Sequence, residues 1–416
     1  MPVYVIYCKI FSFTVIDYKN QLEDMKPSEL NRRKFLKGTA AAAGLALLPG
    51  APAEAFADYG HGKIKFIEEE KKLIIPAEPR MKFGVIGINH SHINGMVDAV
   101  IRGGGQLVSF YSKEPDLAAA FARRYPQAKQ AANENAVLED PSIKVIMSSI
   151  IPDERAPLGV KVMRHGKDYL VDKPGIITLE QLAEVRKVQK ETNRIYSIMY
   201  SERFENKGTV KAGELVKSGA IGKVIQTIGL GPHQINPKTR PDWFWDKKRY
   251  GGIICDIGSH QFDQFLYFTG STSASVVFSE VGNVNHPNYP LFEDFADVVV
   301  RGNGGMGYVR NDWFTPDGLG SWGDGRLTIL GTEGFIEVRK NIDIGLPQKG
   351  GNHVYMANQK ETQVFDANNL ELPFGKLFVD DVLNRTETAM TQAHCFLATE
   401  LALKAQKNAQ VIPLKL

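Results

Sequence analysis

The stretch Phe83-Gly84-Val85-Ile86-Gly87-Ile88-Asn89-His90-Ser91-His92 decides the fold class of this chain. Its first five residues form an apolar run that predicts a buried strand, and the helical pattern of residues 92–102 follows directly. Strand and helix then alternate as far as residue 200. Further strands are predicted at 107–111, 145–150, 168–171 and 195–200, and further helices at 115–124, 155–165 and 178–193.

This alternation predicts how the strands pair. Apolar strands that are joined by helices, and that lack alternating polar residues, form a parallel sheet covered on both faces. Ligands of such sheets bind beyond the carboxyl ends of the strands. We therefore predict an α/β domain over residues 81–200, with its site among the residues that directly follow the strands.

After residue 200 the pattern changes to longer β-rich runs. A helix is predicted at 207–218, another at 256–268 and a final one at 390–407. Glycine-rich turns separate several of the runs, which is typical of a mostly antiparallel sheet. We predict that residues 201–416 form a second domain for substrate binding and oligomerisation, and that the polar segment 58–80 is a tether. The predicted strands of this part lie at 223–230, 274–281, 294–301, 306–312, 326–330 and 334–339.

The composition excludes several classes of protein. The 416 residues are 43% hydrophobic and 23% charged, which excludes disordered, collagen-like and coiled-coil chains. Lys and Arg number 50 and Asp and Glu 47, so the chain lacks the basic excess of a nucleic-acid-binding protein. The three cysteines have no spacing typical of a zinc site and are too few for a disulfide framework. We expect neither a nucleic-acid partner nor a metal.

The N-terminal region has the pattern of an export signal. Arg32-Arg33 precedes a short apolar stretch, and alternating alanines at 51–57 offer cleavage sites, as in a bacterial twin-arginine signal peptide. The apolar stretch is too short to span a bilayer, so we expect no membrane span in the mature chain. We predict a signal region at 1–57 and export to the periplasm. Met25 would give a more usual start, so residues 1–24 are interpreted as a mis-assigned beginning.

The loop after the first strand is the first place where chemistry is expected. Gly87 stands at the tight-turn position of a Gly-x-Gly-x-x-Gly loop, but Asn89 and His92 replace the other two glycines. A helix that begins at this loop still offers free N–H groups to a phosphate. The alternative is a polar strand-to-helix turn that binds no dinucleotide.

Two further stretches carry candidate catalytic residues. Lys173 follows the strand 168–171, where a side chain points into the ligand crevice; the alternative is an exposed loop lysine. Asp256 and His260 are four residues apart within Gly251–Asp263, and on an α-helix this spacing puts them on one face. A carboxylate beside an imidazole raises its basicity, as a general base requires. The alternative is a helix-capping aspartate and a buried core histidine.

Together these stretches resemble one family, the oxidoreductases named after glucose–fructose oxidoreductase, inositol dehydrogenase and a rhizopine-catabolism protein (Gfo/Idh/MocA). Residues 172–174 resemble its Glu-Lys-Pro motif, and 251–263 resemble its Gly-Gly-Gly…Asp-x-Gly-x-His segment. Residues 200–204 resemble its Tyr-Asn-x-Arg-Phe junction and 218–224 its Gly-x-Ile-Gly-x-Val turn. The resemblance covers nearly all of 81–416. It implies a Rossmann domain, a C-terminal α/β domain with an open, mostly antiparallel sheet, and a bound NAD or NADP.

The resemblance also implies a reaction and its residues. Hydride would pass between a sugar or cyclitol carbinol carbon and the nicotinamide, with His260 taking the hydroxyl proton, Asp256 orienting His260, and Lys173 donating to the oxygen. We expect a small carbohydrate-like substrate and a homo-oligomer. The expected cofactor contacts are Gly87, Asn89, His90, His92, Ser112, Lys113, Pro152, Asp172 and Lys173. The expected substrate contacts are Arg203, His233, Trp243 and Trp245.

Departures from the family pattern leave alternatives open. The end of the second strand, Ser112-Lys113, lacks the acidic residue that would bind a ribose hydroxyl, so NADP is slightly preferred over NAD. The family's Pro-Asn-x-x-His is replaced by a different sequence from Pro152 onward. Two other functions fit the chain: a glycoside hydrolase or lyase that uses NAD(P) transiently, and a non-catalytic binding or scaffold protein.

Overall fold

The computed structural model describes residues 64–68, 78–346 and 350–412. The signal region predicted at 1–57 lies outside these ranges. Within them, no helix combines the length and the apolar character that a membrane crossing needs. The first described element is strand β1 (Lys65–Glu68), which lies in the segment predicted to be a tether. The tether prediction is therefore wrong for these four residues.

The N-terminal half of the described chain is the predicted doubly wound α/β unit. Its strands are β2 (Met81–Ile86), β3 (Gly105–Tyr111), β4 (Lys129–Gln130), β5 (Val145–Ser148), β6 (Asp168–Asp172) and β7 (Tyr196–Met199). Its helices are α1 (His92–Arg102), α2 (Pro115–Arg124), α3 (Glu134–Leu138), α4 (Pro152–Arg164) and α5 (Leu179–Thr192). All six strands are parallel, in the order β4-β3-β2-β5-β6-β7.

Burial explains why these strands read as continuous apolar runs. Every residue of β5, β6 and β7 is buried, because helices cover both faces of the sheet. Strand order reverses between β2 and β5, as in Rossmann folds, and this switch point is where such sheets bind ligands. The short β4 and α3 were not predicted, because two and five residues carry too little periodicity.

The C-terminal half begins with short helices and continues into a large sheet. Its helices are α6 (Ser201–Phe204), α7 (Lys207–Lys217), α8 (Lys247–Tyr250), α9 (Ser259–Thr269), α10 (Phe374–Asn384) and α11 (Gln392–Asn408). Its strands are β8 (Val224–Pro232), β9 (Ala274–Gly282), β10 (Phe295–Gly302), β11 (Met306–Asp312), β12 (Arg326–Gly331), β13 (Gly334–Arg339), β14 (His353–Asn358), β15 (Thr362–Asp366) and β16 (Gln410–Val411). Short 3₁₀ turns lie at Pro237–Thr239, Asp242–Trp245 and Asp317–Leu319.

The second sheet has ten strands in the order β1-β15-β14-β13-β12-β8-β11-β10-β9-β16. The pairs β1/β15, β8/β11 and β9/β16 are parallel and the other neighbours are antiparallel, which confirms the mostly antiparallel prediction. Helix α9 packs on β8, and α11 packs on β9 and α9. Helix α11 also contacts α5 and β7 of the parallel unit. One hydrophobic core therefore runs through both halves.

Candidate active site

A cavity of about 730 Å³ opens at the carboxyl ends of the parallel strands. The loop after β2 and the end of β6 form one side of it. The segment between β8 and α8, together with residues near the end of β11, forms the other. Its lining includes His90, His92, Pro152, Lys173, His233, Arg240, Trp243, Asp256, Trp313 and Trp322. The cavity thus joins the two halves of the described chain.

Lys173 and Asp256 form an ion pair on the cavity wall. Lys173 is the first residue after β6, and its Nζ lies 2.9 Å from Oδ1 of Asp256. Burial by itself would raise the pKa of Asp256, but the charge of Lys173 and its hydrogen bond lower that pKa overall. The pair therefore keeps an anionic carboxylate beside the ammonium that faces the cavity. The structure brings together two of the three residues that were expected to be catalytic.

Arg155 holds the backbone that presents Lys173. Its side chain is 1% exposed, and its guanidinium donates to the carbonyl oxygens of Ile150, Asp172 and Lys173. It also donates to Oδ2 of Asp172 at 3.1 Å. The sequence analysis missed this role. The one available signal was an arginine in the first turn of α4, in the segment that departs from the family pattern.

Asp172 binds both histidines of the glycine-poor loop. Its carboxylate oxygens lie 2.7 Å from Nδ1 of His90 and 3.0 Å from Nδ1 of His92. Burial opposes ionisation of Asp172, but the charges of His92, Arg155 and His90 hold its pKa well below the usual range. Burial and the charge of His92 lower the pKa of His90 to about 4. Asp172 therefore orients the loop through its two imidazoles.

The same three residues are a possible metal ligand set. The candidate ligand atoms of His90, His92 and Asp172 lie within 4.8 Å of one another. Two imidazoles and a carboxylate suit a divalent transition metal. However, Asp172 is already bonded to both histidines and to Arg155, which accounts for its charge. The expected absence of a metal stays a prediction.

His260 does not pair with Asp256, contrary to the expectation from their spacing. Residues Ile254–Gly258 form a π-helical turn, and the α-helix begins only at Ser259. The wider turn removes the α-helical register that the prediction assumed, and Asp256 bonds to Lys173 instead. No side-chain hydrogen bond joins Asp256 to His260 in the described structure.

His260 is not among the residues that line the cavity. Its side chain is 2% exposed, and its Nδ1 has no hydrogen-bond partner among the described residues. Burial, followed by the positive charge of Lys173, lowers the pKa of His260 to about 3, although Glu202 opposes the shift. The imidazole is therefore neutral at pH 7 and able to accept a proton.

The loop at Gly87 keeps the feature that a dinucleotide turn needs most. Gly87 has φ +77°, and a Cβ there would lie 2.6 Å from Cβ of Ile150. Asn89, which replaces the second glycine, has a negative φ, and its side-chain amide donates to Glu114 at 2.8 Å. Ser91 caps α1 without a side-chain hydrogen bond, and the N–H groups of Ile93 and Asn94 donate to the carbonyls of His90 and Ser91 in the turn that begins the helix. These features fit a dinucleotide.

An acidic residue does stand at the end of β3. Glu114 accepts a hydrogen bond from Ser112 at 2.7 Å, and these residues line a small second pocket with Gly87 and Lys113. Lys113 is 3.1 Å from Glu154, so its charge is paired. Ser112 and Lys113 lack an acid as expected, and Glu114 lies one position beyond them. Hydrogen bonds from Ser112 and Asn89 outweigh burial and lower the pKa of Glu114.

The expected substrate residues separate into two groups. His233 and Trp243 line the cavity. Arg203 does not, because its guanidinium is buried in a two-point ion pair with Asp263 at 2.6 and 2.7 Å. Trp245 also lies outside the lining and stacks on Tyr289, with ring centres 3.6 Å apart. Neither residue lines the cavity in the described structure, and their contact with substrate stays a prediction.

Trp322, Trp313 and Arg240 are among the lining residues that were not predicted. The ring centres of Trp322 and Trp313 lie 4.7 and 5.4 Å from the ring centre of His233. The guanidinium of Arg240 lies over the rings of Phe244 and Trp313. Burial, and then the charge of Lys173, lower the pKa of His233 to about 4. Nothing in the local sequence of Trp313 and Trp322 distinguishes them from core tryptophans, since they reach the cavity from distant β-strand ends.

Three family models match the chain. One, described as an oxidoreductase family with an NAD-binding Rossmann fold, matches residues 81–200. A second, described as the GFO/IDH/MocA C-terminal domain, matches residues 209–337. A third, the signal sequence of the twin-arginine translocation pathway, matches residues 29–49 and confirms the predicted export signal.

Relatives support the same assignment. A solved structure described as an oxidoreductase from Erwinia carotovora atroseptica is 46% identical, with a TM-score of 0.77, and the match covers 80% of this chain and all of that one. The scyllo-inositol 2-dehydrogenase (NAD(+)) of Bacillus subtilis is 25% identical over 80% of this chain and 94% of its own length. The levoglucosan dehydrogenase of Pseudarthrobacter phenanthrenivorans is 25% identical over 55% of this chain and 57% of its own length. With the parallel sheet, the second sheet and the lysine-bearing cavity between them, these matches show that the chain belongs to the Gfo/Idh/MocA family of NAD(P)-dependent oxidoreductases.

Proposed function

We propose that this protein is a dehydrogenase that transfers hydride between NAD(P) and a carbinol carbon of a sugar, a cyclitol or a sugar derivative. The observation that carries the proposal is the Lys173–Asp256 ion pair on the wall of the cavity, 2.9 Å between its charged atoms. An aromatic wall that includes Trp243 faces it, and aromatic faces suit the C–H surfaces of sugars. The names of the inositol and levoglucosan dehydrogenases support the substrate class.

The cofactor would be held by the Gly87 loop, the start of α1 and the Ser112–Glu114 corner. When bound, its nicotinamide supplies the hydride acceptor. Lys173 donates a hydrogen bond to the substrate oxygen and stabilises the negative charge that develops there. Asp256 holds the ammonium in place by the hydrogen bond at 2.9 Å. Arg155 fixes the backbone at Lys173 by donating a hydrogen bond to its carbonyl oxygen.

Two imidazoles are candidates for the proton acceptor. His260 occupies the family position, and we propose it as the acceptor. His233 is the imidazole on the cavity wall and is the competing candidate. With pKa values lowered to about 3 and about 4, respectively, both are neutral at pH 7. Each is therefore in the protonation state that accepts a proton.

We further propose that NAD is preferred over NADP, which reverses the expectation from the sequence. In this proposal the carboxylate of Glu114, which lines the small second pocket, would accept a hydrogen bond from a ribose hydroxyl and repel a 2′-phosphate. Lys113 is paired with Glu154 instead of being free for that phosphate. The twin-arginine signal supports a periplasmic location, and the homo-oligomer remains a prediction.

Absorbance of the reduced nicotinamide tests the proposal. The mature protein is incubated with NAD or NADP and a panel of sugars, cyclitols and glycosides. A dehydrogenase produces net cofactor reduction in step with loss of the alcohol. Release of an aglycone without net reduction contradicts it and indicates the redox-neutral hydrolase or lyase. Absence of any dinucleotide binding by calorimetry contradicts it in favour of the scaffold.

A further inference from the structure

Arg240 is fixed in the wall of the cavity by contacts that hold its guanidinium plane. Its Nε donates to the carbonyl of Ile235 at 2.7 Å, and its Nη2 donates to the carbonyl of Gln234 at 3.1 Å. Its Cζ lies 4.5 Å from the ring centre of Phe244 and 4.9 Å from that of Trp313. The segment thus presents an ordered guanidinium, not a mobile surface chain.

The charge of Arg240 has no acidic partner among the described residues. Asp256 is the one carboxylate in the described lining of the cavity, and it is already bonded to Lys173. The other arginines of the lining are matched: Arg155 is bonded to Asp172, and Arg124 at the rim lies 2.6 Å from Asp98. The wall on the Arg240 side therefore carries an uncompensated positive charge.

An unpaired cation in a partly enclosed site is costly unless a ligand supplies the counter-charge. Burial lowers the pKa of Arg240, and the carboxylate of Asp256 opposes that shift only in part. An arginine nevertheless stays protonated at neutral pH. The guanidinium is therefore charged while it is partly buried, which is unfavourable. An anion that entered the cavity would offset this unfavourable free energy.

The phosphates of the dinucleotide do not account for this charge. The residues proposed to hold those phosphates, Gly87 and the start of α1, belong to the parallel unit. Arg240 lies in the segment between β8 and α8, on the wall that holds His233 and Trp243. That wall is where the substrate is expected, and its aromatic surface would pack on a sugar ring while Arg240 binds a substituent.

We propose that the substrate is an acid: a sugar or cyclitol derivative whose carboxylate or phosphate group is bound by Arg240. The inference rests on the proposed dehydrogenase function, since it assigns the substrate class of the same cavity. Guanidinium groups bind such anions through charge-assisted hydrogen bonds, and Nη1 of Arg240 remains available for them because Nε and Nη2 serve the backbone.

Binding is measured apart from turnover, by calorimetry and by fluorescence of the cavity tryptophans. The probes are D-glucuronate, D-galacturonate and D-glucose 6-phosphate, against D-glucose and D-galactose. The variants are Arg240→Gln, Arg240→Lys and the control Lys238→Gln, which removes an exposed charge from the same segment. Thermal unfolding confirms that each variant folds, and NAD(H) affinity is measured for each.

We expect at least one acid to bind more tightly than its neutral counterpart. Arg240→Gln should weaken that acid by about 10- to 100-fold, the range for a hydrogen bond to a charged group, with little effect on neutral sugars. Arg240→Lys should keep part of the preference, and Lys238→Gln all of it. The acid that responds distinguishes a carboxylate from a phosphate.

The inference is overturned if no acid binds, if neutral sugars bind as tightly as the acids, or if Arg240→Gln weakens NAD(H) as much as the acid. Its failure is distinguishable from failure of the proposed function. If neutral sugars are turned over and substitution of Arg240 does not change that turnover, the dehydrogenase function stands and the acidic substrate is excluded. If acids bind through Arg240 but no nicotinamide is reduced, the acidic ligand stands and the dehydrogenase function is excluded.

Discussion

The function proposed for Lys173 depends on where its backbone lies in the fold. The residue directly follows a buried parallel strand, so its side chain emerges at the edge of the sheet where ligands bind. That position could be predicted from the sequence, because the end of an apolar run marks the end of a buried strand. Its partners could not, since Arg155 and Asp256 reach it from separate elements.

The acidic limb of the pH–rate profile is predicted to lie near pH 3 if His260 is the proton acceptor and near pH 4 if His233 is. The proton acceptor must be neutral, and the neutral form of an imidazole persists only above its pKa. The pKa values of His260 and His233 are lowered to about 3 and about 4, so activity should persist through pH 5.5 instead of falling near the usual histidine value of about 6.5. The dependence of kcat/KM on pH measures this, and a limb near 6.5 would show that neither buried imidazole is the acceptor.

Substitution separates the two histidines. His260→Ala should lower kcat by about 10²- to 10⁴-fold, the usual loss of a general base. His233→Ala should raise KM more than it lowers kcat, because we assign it to the cavity wall. The reverse result would transfer the acceptor role to His233, and near-native kcat in both variants would exclude both.

Glu114 is predicted to set the cofactor preference. Glu114→Ser should weaken NAD by about 10- to 100-fold, because a hydrogen bond to a charged group is lost. The same change should weaken NADP less or strengthen it, since the repulsion of a 2′-phosphate is removed. Titration of both cofactors measures the ratio, with Glu139→Gln, an exposed acid at the end of α3, as the control. An unchanged ratio would remove Glu114 from the ribose site.

At the scale of elements, the π-helical turn Ile254–Gly258 marks where prediction from local pattern stops. The spacing of Asp256 and His260 was interpreted as α-helical, but the chain forms one π-helical turn, which is wider, before α9 begins. Gly252, with φ +92°, approaches Gln406 of α11 so closely that a Cβ would lie 2.3 Å from its Cδ. The turn is thus set by contact with a distant helix, which the local sequence does not contain.

Gly87→Ala is predicted to destabilise the parallel unit by about 1–3 kcal/mol, the cost of an unfavourable backbone conformation at a non-glycine residue. The glycine has φ +77°, and a Cβ would meet Ile150. Affinity for the dinucleotide should fall with it. Urea unfolding and cofactor titration measure the two effects.

Gly95→Ala is the matched control in the adjacent helix α1. Its added Cβ meets nothing within 4 Å, so the exchange should be neutral or stabilise the helix by up to about 1 kcal/mol. Equal effects of the two substitutions would mean that the conformation at Gly87 is unimportant.

At the scale of the whole molecule, the sequence predicted the two-part architecture but not how the parts are joined. The parallel unit could be predicted because its strands are buried on both faces. Strands β1, β14 and β15 were missed, since buried and partly exposed residues do not alternate regularly along them. The helix α11, which contacts both halves, was predicted as a helix but not as the connection.

Export through the twin-arginine pathway is predicted to depend on Arg32-Arg33. Exchange of both for lysine should leave the precursor in the cytoplasm, whereas the unaltered precursor should be exported. Fractionation of cells that express each form measures the distribution. Undiminished export of the double variant, and export in a strain without the translocase, would contradict the signal assignment.

The central claim is that Lys173, held by Asp256, stabilises the reacting oxygen. The most direct measurement is the rate of nicotinamide reduction by the Lys173→Met enzyme, saturated with NAD(P) and a substrate found by screening, with the exposed Lys187→Met as control. We predict a fall of about 10²- to 10³-fold, as for the loss of an oxyanion donor, with unchanged dinucleotide affinity and fold. Near-native turnover in Lys173→Met would contradict the claim.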